Sequence, residues 1–398
     1  MPSNLSVEPI FNHSIEMTKF VLMANIVDGF ESEFEYLAHY LCNQDVKSVC
    51  TVSHPLDRRS KAVTAYRLFI HGKLQKSKVS RRPHRPPLTH IFDFVFPVKF
   101  IRGDVWIAFN PVQAAIARLR MNRKALLVHW AIDFVPQKSM NRFINNCYRS
   151  LERFMFRRVD VQVENSRAAL EMRQKLLGRK PAFEAIAPIG VFEADFVTPF
   201  LERLDTPKVV YFGSIDERND ARFVADVARQ LCNTDPAISF HFVGSGPLAE
   251  MMKHQLSDLV EGHRIVFHGF VRDQAVITKI LGECAVAVAP FLDNDKQFTK
   301  FADPQKIKYY LAAGLPIFLT DVPPNAQDLA KRAGCTLLTK QDGANMWADQ
   351  ILLLTKSPSE WSRRANLAFQ VGIEFERTKI YKRTLGVIGT ALMERSAQ

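Results

Sequence analysis

A lysine near the start of a short predicted helix is well placed for binding chemistry. It is Lys306, in the stretch FADPQKIKYYLAAGLPIF at residues 301–318. Pro304 suits the first position of a helix, and Asp303 can accept hydrogen bonds from the free amides there. A lysine in the first turn faces the positive end of the helix dipole, an arrangement that favours a bound anion. We therefore expect the lysine and the helix amides to hold a diphosphate.

The elements that must position this lysine follow an alternating pattern. Apolar runs alternate with helical patterns along the chain, which is typical of parallel sheets with crossover helices. Strands are expected near residues 20–25, 46–52, 91–97, 105–110, 125–130 and 159–163, and near 208–212, 238–243, 264–268, 285–289, 315–320 and 336–338. The periodicity breaks at 196–207, which contains two prolines. We expect two doubly wound domains, at 1–200 and 201–375, and a terminal helix at 376–398.

Several segments of the second half follow one another in a characteristic order. VVYFGSID ends a strand in Gly213-Ser214, and a second strand ends in Gly244-Ser245. HGFV, VAVAPF and the lysine helix come next. Over about residues 208–320 this order resembles the donor domain of family 4-like glycosyltransferases with the GT-B fold. The resemblance implies two Rossmann-like domains facing a central cleft, with the C-terminal helix crossing back to the first.

The resemblance also implies which residues contact the nucleotide sugar. They are Gly213, Ser214, Gly244, Ser245, Phe291, Gln305, Lys306 and Tyr309. Phe291 stands where similar enzymes place a residue that contacts uracil, although packing in the core would also explain it. Tyr309 occupies the place of the family's glutamate, which holds the ribose hydroxyls. A neutral phenol is a poorer acceptor for two hydroxyls than a carboxylate.

A carboxylate ends a predicted strand of the first half. ALLVHWAIDFVPQ at 125–137 carries Asp133, and partial desolvation by its apolar neighbours would raise its basicity. The segment resembles a strand of the membrane-associated glucuronosyltransferase of xanthan assembly, where an aspartate at the matching place is the proposed base. Asp133 is thus the candidate general base, and a structural cap or an arginine-paired aspartate is the alternative. Asp28 and Gly29 are candidates for an acceptor-binding loop.

Departures from the family pattern bear on mechanism. Retaining relatives usually carry a second glutamate before the lysine motif, and residues 292–302 contain none. We therefore expect inversion at the anomeric carbon. Asp293-Asn294-Asp295 copies a metal-binding motif of another glycosyltransferase fold, but its place after a strand favours an exposed acidic loop. We expect no metal and no cofactor beyond the nucleotide-sugar co-substrate, because the lysine and helix amides would stabilise the leaving diphosphate.

Charge is distributed unevenly between the halves. Residues 1–200 carry 29 Lys and Arg against 18 Asp and Glu, whereas residues 201–398 carry 24 against 23. Six basic residues are predicted to lie in a mobile loop at 72–87: Lys73, Lys76, Lys78, Arg81, Arg82 and Arg85. These six residues and the arginines of a helix predicted at 139–160 form a candidate contact for anionic lipid. The aromatic residues of that helix are expected mostly in the core. A solvated linker is the alternative.

The six scattered cysteines favour buried thiols in a reducing compartment, and we expect a cytoplasmic protein, peripheral on the inner face of the cell membrane. The predicted function is transfer of a sugar from a nucleotide-diphosphate sugar, with UDP as the expected nucleotide, to a lipid-linked glycan acceptor. Alternatives are a catalytically silent sugar-nucleotide sensor, an epimerase of the same fold, and a basic nucleic-acid-binding protein. The last lacks any recognisable nucleic-acid motif.

Overall fold

The chain forms two compact units, each containing one β-sheet flanked by helices. The computed structural model describes residues 15–26, 31–54, 63–81, 101–132, 134, 142–293 and 298–397. The first unit comprises the chain up to Pro188 together with Tyr381–Gln398, and the second comprises Ile189–Ile380. This division falls slightly before the interruption at 196–207. The strand expected at 91–97 lies outside the described residues.

The sheet of the first unit is parallel except at one edge. Its strands are β1 (Lys19–Ala24), β2 (Ser48–Ser53), β3 (Val63–Ile70), β4 (Lys73–Arg81), β5 (Val105–Ala108), β6 (Leu126–Trp130), β7 (Val161–Glu164) and β8 (Phe183–Ile186). They lie in the order β4-β3-β2-β1-β5-β6-β7-β8. The strands from β2 to β8 in this order run parallel. β1 is almost entirely buried, as expected of a central strand covered on both faces.

The basic segment predicted as a mobile loop at 72–87 is in part a regular strand, so that prediction is wrong for residues 73–81. β4 forms a hairpin with β3, and both run antiparallel to their neighbours. β4 is the edge strand, and Lys73, Lys76 and Lys78 are exposed on it. Lysines on an edge strand discourage pairing with another chain, which gives them a structural use. Arg82 and Arg85 lie outside the described residues, as does the side chain of Arg81.

Helices cover the sheet of the first unit. They are α1 (Glu33–Cys42), α2 (Pro111–Arg120), α3 (Arg142–Phe156) and α4 (Arg167–Leu177). The aromatic residues of α3 were expected mostly in the core, and this is wrong for two of them. Phe156 is buried, but Phe143 is 75% exposed and Phe154 is 49% exposed. Helical periodicity turns these two away from the face that carries Glu152, Met155 and Phe156.

The last helix, α13 (Arg377–Ala397), begins in the second unit and continues in the first. Within the first unit the ring of Tyr381 packs edge-on against Tyr40 and Trp130, with centroid separations of 5.2 and 6.1 Å. Near its end, Arg395 forms an ion pair with Asp160. The first unit therefore draws part of its core from the end of the chain.

The sheet of the second unit is wholly parallel. Its strands are β9 (Lys208–Phe212), β10 (Ser239–Val243), β11 (Ile265–Gly269), β12 (Val286–Ala289), β13 (Ile317–Leu319) and β14 (Thr336–Leu337), in the order β11-β10-β9-β12-β13-β14. The helices are α5 (Ala221–Thr234), α6 (Ala249–Gln255), α7 (Ser257–Glu261), α8 (Gln274–Gly282), α9 (Gln305–Ala312), α10 (Ala326–Ala333), α11 (Gly343–Thr355) and α12 (Pro358–Gly372). Apolar clusters fill both faces of the sheet. This arrangement is the doubly wound fold that the sequence predicts for this half.

Two further observations concern compartment and membrane. All six cysteines are free, and four are buried, but Cys147 is exposed on α3, contrary to the expectation of buried thiols throughout. Among the residues described, no helix has the length and apolar character needed to cross a bilayer.

Candidate functional site

Two glycine turns meet at the carboxyl ends of β9 and β10. Gly213 and Gly244 have φ values of 137° and 141°, where side chains other than hydrogen are strained. A Cβ atom on Gly244 would lie 1.9 Å from the carbonyl oxygen of Gly213, so only glycine permits this approach. Ser214 and Ser245, which follow them, are exposed. The turns thus bring two backbone segments together and present two hydroxyl groups beside them.

The side chain of Lys306 lies against the first of these turns. A Cβ atom on Gly213 would come within 3.1 Å of its Nζ atom. The ammonium lies 4.7 Å from the ring centroid of Tyr211 and 5.0 Å from that of Phe291. It donates a hydrogen bond to Oδ1 of Asn219 at 2.8 Å. Two aromatic faces and one amide oxygen therefore hold the cation beside the glycine turn.

The charge of this ammonium lacks a carboxylate partner. Across the described part of the chain, Lys306 forms no ion pair, and Asp216, the acid that acts on it, is itself paired with Arg218 at 2.8 Å. Burial lowers the pKa of Lys306 to about 7, and the carboxylate of Asp216 opposes this only in part. Burial disfavours the charged form of an amine, whereas a nearby anion favours it. An anion that reaches Lys306 would therefore stabilise its ammonium form.

The start of helix α9 differs from the prediction. Asp303 was expected to cap the helix, but it forms a buried ion pair with Lys308, and the helix begins at Gln305, one residue after Pro304. No side chain caps the first turn. Burial raises the pKa of Asp303, and the charge of Lys308 opposes that shift. The ion pair fixes the helix to the protein interior. The free backbone amides of the first turn have no side-chain cap among the described residues, so a ligand could accept their hydrogen bonds.

Tyr309 and Gln305 belong to a chain of polar contacts beside the lysine. The hydroxyl of Tyr309 donates to Oε1 of Gln274 at 3.3 Å and accepts from Nε2 of Gln305 at 3.4 Å. Gln274 in turn donates to the buried carboxylate of Asp195 at 2.8 Å. The ring of Tyr309 packs edge-on against Phe212. The phenol that replaces the expected glutamate is therefore held in place by two amides.

Phe291 is positioned differently from a residue that stacks on a base. Its side chain is 5% exposed, and its ring lies under the ammonium of Lys306. Its backbone amide donates to the hydroxyl of Thr320 at 2.9 Å. The ring also belongs to an apolar cluster on one face of the sheet, so it packs in the core as well as against the lysine.

The candidate residues of the first half fall largely outside the described residues. Asp133, Asp28 and Gly29 are among those whose structure is left undescribed. Trp130 and Phe134, on either side of Asp133 in the sequence, are buried. In the acidic loop of the second half, Asp293 is exposed and forms an ion pair with Lys300 at 2.6 Å, while residues 294 and 295 also lie outside the described residues.

Three supporting residues were not predicted from the sequence: Tyr211 and Asn219, which contact Lys306, and Gln274, which contacts Tyr309. Asn219 belongs to a turn in which Asp216 accepts from its backbone amide at 3.1 Å. The spacing Asp-x-x-Asn directly after a strand is a recognisable signal for such a turn. Tyr211 and Gln274 carry no comparable signal, because contact with Lys306 and Tyr309 depends on packing between distant segments.

Comparison with known proteins places this site in a family. The family model of glycosyl transferases group 1 matches residues 206–357. Among proteins with curated functions, none matches the sequence.

Solved structures share the fold at low identity. Sucrose-phosphate synthase from Thermosynechococcus elongatus has a TM-score of 0.66 at 16% identity, over 96% of this chain and 100% of that one. HepE from Anabaena in complex with UDP-glucose has a TM-score of 0.62 at 12% identity, over 92% and 98%. The pneumococcal O-GlcNAc transferase GtfA, in complex with UDP and GlcNAc, has 0.58 at 13%, over 84% and 65%.

The family match covers the glycine turns and Lys306, and the structural likeness extends over both units. The chain therefore contains a glycosyl transferases group 1 domain at residues 206–357, and its fold is that of GT-B glycosyltransferase structures.

Proposed function

We propose that this protein transfers a sugar from a UDP-sugar to a glycan acceptor, with the diphosphate bound by Lys306. The observation that carries the proposal is the ammonium of Lys306, held beside Gly213 without a carboxylate partner among the described residues. A diphosphate supplies two negative charges and several acceptor oxygens, which match this cation and the uncapped first turn of α9. The UDP complexes of HepE and GtfA support UDP as the nucleotide.

The leaving group and the base have separate tasks in this proposal. Lys306 and the helix amides stabilise the charge that develops on the departing diphosphate. Asp133 removes the proton of the acceptor hydroxyl as that oxygen attacks the anomeric carbon, so the configuration inverts. No metal is required in this scheme. Tyr309, held by Gln274 and Gln305, presents its hydroxyl to the ribose in place of a carboxylate.

We also propose that the acceptor is lipid-linked and that the first unit contacts an anionic membrane. The excess of basic residues in residues 1–200 supports this, as do the exposed lysines of β4. Exposed Phe143 and Phe154 on α3 supply apolar side chains to the same unit, which suits the interfacial region of a bilayer.

Replacement of Lys306 tests the diphosphate site. In Lys306→Met the affinity for UDP should fall by about 10- to 100-fold, because hydrogen bonds to a charged group contribute about 1.5–3 kcal/mol. The stabilisation of the protein by UDP in a thermal-shift titration measures this. Lys253→Met, which removes an exposed lysine of the same unit, should bind UDP as the unmodified protein does. Equal UDP affinity in both variants would show that Lys306 does not hold the diphosphate.

The affinity for UDP should also depend on pH. A bound diphosphate favours the protonated amine, so binding takes up a proton wherever the free lysine is partly neutral. With a pKa of about 7, affinity should fall as pH rises through 7 and approach a tenfold loss per pH unit above it. Calorimetry in buffers of different ionisation enthalpy measures the proton uptake. A flat profile between pH 7 and 9, or the same slope in Lys306→Met, would contradict this origin.

Asp133 is tested by separating turnover from donor binding. Asp133→Asn should lower turnover by about 100- to 10,000-fold, the usual contribution of a general base, while UDP affinity stays unchanged. Asp45→Asn, at an exposed position of the same unit, serves as the control. NMR of the product formed by the unmodified protein gives the anomeric configuration. Near-normal turnover in Asp133→Asn would remove this residue as the base, and retained configuration would remove inversion.

Membrane contact is tested by vesicle sedimentation. Changing Lys73, Lys76 and Lys78 together to Gln should weaken binding to phosphatidylglycerol vesicles by about 3 kcal/mol, since each basic residue near the surface contributes about 1 kcal/mol. The matched control changes Lys253, Lys279 and Lys331 of the second unit to Gln. Binding that is equal for anionic and neutral vesicles, or equally reduced in both triple variants, would refute a contact through β4.

A further inference from the structure

A buried carboxylate stands at one end of the polar contacts that hold Tyr309. It belongs to Asp195, which is 3% exposed and ends the short 3-10 helix Glu193–Asp195 of the second unit. Buried carboxylates are usually paired with a cation. Asp195 forms no ion pair in the part of the chain that the structure describes, so hydrogen bonds are the contacts that compensate for its burial.

Three donors surround this carboxylate. Its Oδ1 atom accepts from Nε2 of Gln274 at 2.8 Å and from the hydroxyl of Thr278 at 3.1 Å, and both residues lie on α8. Its Oδ2 atom accepts from the backbone amide of Phe192 at 2.8 Å. The carboxylate is therefore fixed both to its own turn and to α8, and its position does not depend on a ligand.

The carboxylate determines which way the amide of Gln274 points. A carboxylate only accepts hydrogen bonds, whereas an amide has a donating nitrogen and an accepting oxygen. The nitrogen of Gln274 must therefore face Asp195, and its Oε1 atom is turned towards the hydroxyl of Tyr309 at 3.3 Å. If the amide were reversed, two acceptor oxygens would oppose each other across the 2.8 Å that separates Gln274 from Asp195.

The orientation of the amide sets the polarity of the Tyr309 hydroxyl. A hydroxyl has one proton and two lone pairs, and the proton of Tyr309 is donated to Oε1 of Gln274. The oxygen is thus an acceptor towards other groups, and it accepts from Nε2 of Gln305 at 3.4 Å. Both contacts of the hydroxyl are longer than the usual hydrogen bond of about 2.7–3.0 Å. A ligand that approaches more closely can therefore replace Gln305 at little cost.

Tyr309 lies beside the lysine that the proposed diphosphate site uses. Tyr309 and Lys306 are three residues apart on α9, so they are neighbours on one side of the helix. The ring of Tyr309 packs edge-on against Phe212, with a centroid separation of 5.5 Å. Phe212 directly precedes Gly213, the glycine against which the amine of Lys306 lies. The part of a nucleotide next to its diphosphate is therefore within reach of the phenol oxygen.

We infer that Asp195 and Gln274 are positioning residues that make the Tyr309 hydroxyl a hydrogen-bond acceptor for a ribose hydroxyl of the donor nucleotide. The inference rests on the proposed function and adds the groups that set its selectivity for ribose. A glutamate accepts hydrogen bonds without help, but a phenol can donate or accept, so its neighbours must fix its polarity. A deoxyribose lacks the matching donor, and the site should therefore prefer ribonucleotides.

Calorimetric titration of the full chain with UDP, 2′-deoxy-UDP and 3′-deoxy-UDP tests this selectivity. UDP should bind about 3- to 10-fold more tightly than at least one analogue, the usual effect of one neutral hydrogen bond. Tyr309→Phe removes the hydroxyl, Gln274→Met removes the amide, and Asp195→Ala removes the carboxylate. The matched control is Thr278→Val, which removes a different hydrogen bond to the same oxygen of Asp195. Inorganic pyrophosphate is titrated into every variant as a probe of the diphosphate site alone.

We expect the preference for UDP to fall below twofold in Tyr309→Phe, Gln274→Met and Asp195→Ala, and to persist in Thr278→Val. Pyrophosphate should bind all variants equally. In the Tyr309→Phe background, Asp195→Ala should cause no further loss of preference, because the hydroxyl through which it acts is absent.

A purely structural role for Asp195 would weaken binding of UDP and both analogues alike and leave the preference unchanged. That result in Asp195→Ala or in Gln274→Met overturns the inference, and either variant alone decides it if the other does not fold. Equal binding of UDP and both analogues to the unmodified protein refutes the inference and leaves the diphosphate site standing. Failure of UDP to bind the unmodified protein refutes the donor site proposed above and this inference with it.

Discussion

A half-buried ammonium group with no carboxylate partner among the described residues is the constraint on which the second unit depends. Lys306 is held by two aromatic rings and one amide oxygen, and these contacts offset only part of the free energy that burial of the charge costs. Glycine suits position 213 because its φ of 137° strains other residues, and a Cβ atom there would lie tightly against the amine, at 3.1 Å. Burial disfavours the ammonium form and a bound anion would favour it, so the arrangement suits the proposed binding site better than a structural ion pair.

Lys308, which forms a buried ion pair with Asp303, contrasts with Lys306 on the same helix. Two lysines stand two residues apart on α9, and among the residues that the structure describes only Lys308 has an acidic partner. Lys308 points into the apolar interior and needs Asp303 there, because an unpaired charge at that depth would be too costly. Lys306 lies at the edge of the sheet, where a ligand can take the role of the acid. In an α-helix, residues two positions apart point to different sides, so the two lysines have different surroundings.

Much of the second unit could be predicted from sequence. Its six strands are parallel and the four central ones are mostly buried, so these appear as apolar runs, and glycine turns mark where β9 and β10 end. The first unit was harder to predict, because β3 and β4 form an exposed edge hairpin and the lysine-rich sequence of β4 is typical of a loop. The environment of Lys306 could not be derived either. Tyr211 and Asn219 lie far in sequence from Phe291 and Lys306, and only the folded sheet brings all three residues to one amine.

The path of α13 has a consequence for how the chain reaches its native state. Tyr381 packs against Tyr40 and Trp130, so the interior of the first unit is completed by residues that are synthesised after the whole of the second unit. When residues 1–188 have emerged from the ribosome, every described strand of the first sheet has been synthesised, but α13 has not. The second unit, continuous in sequence, can close its own interior before the first is complete. Completion of the first unit therefore requires translation to continue through the second unit and past Tyr381.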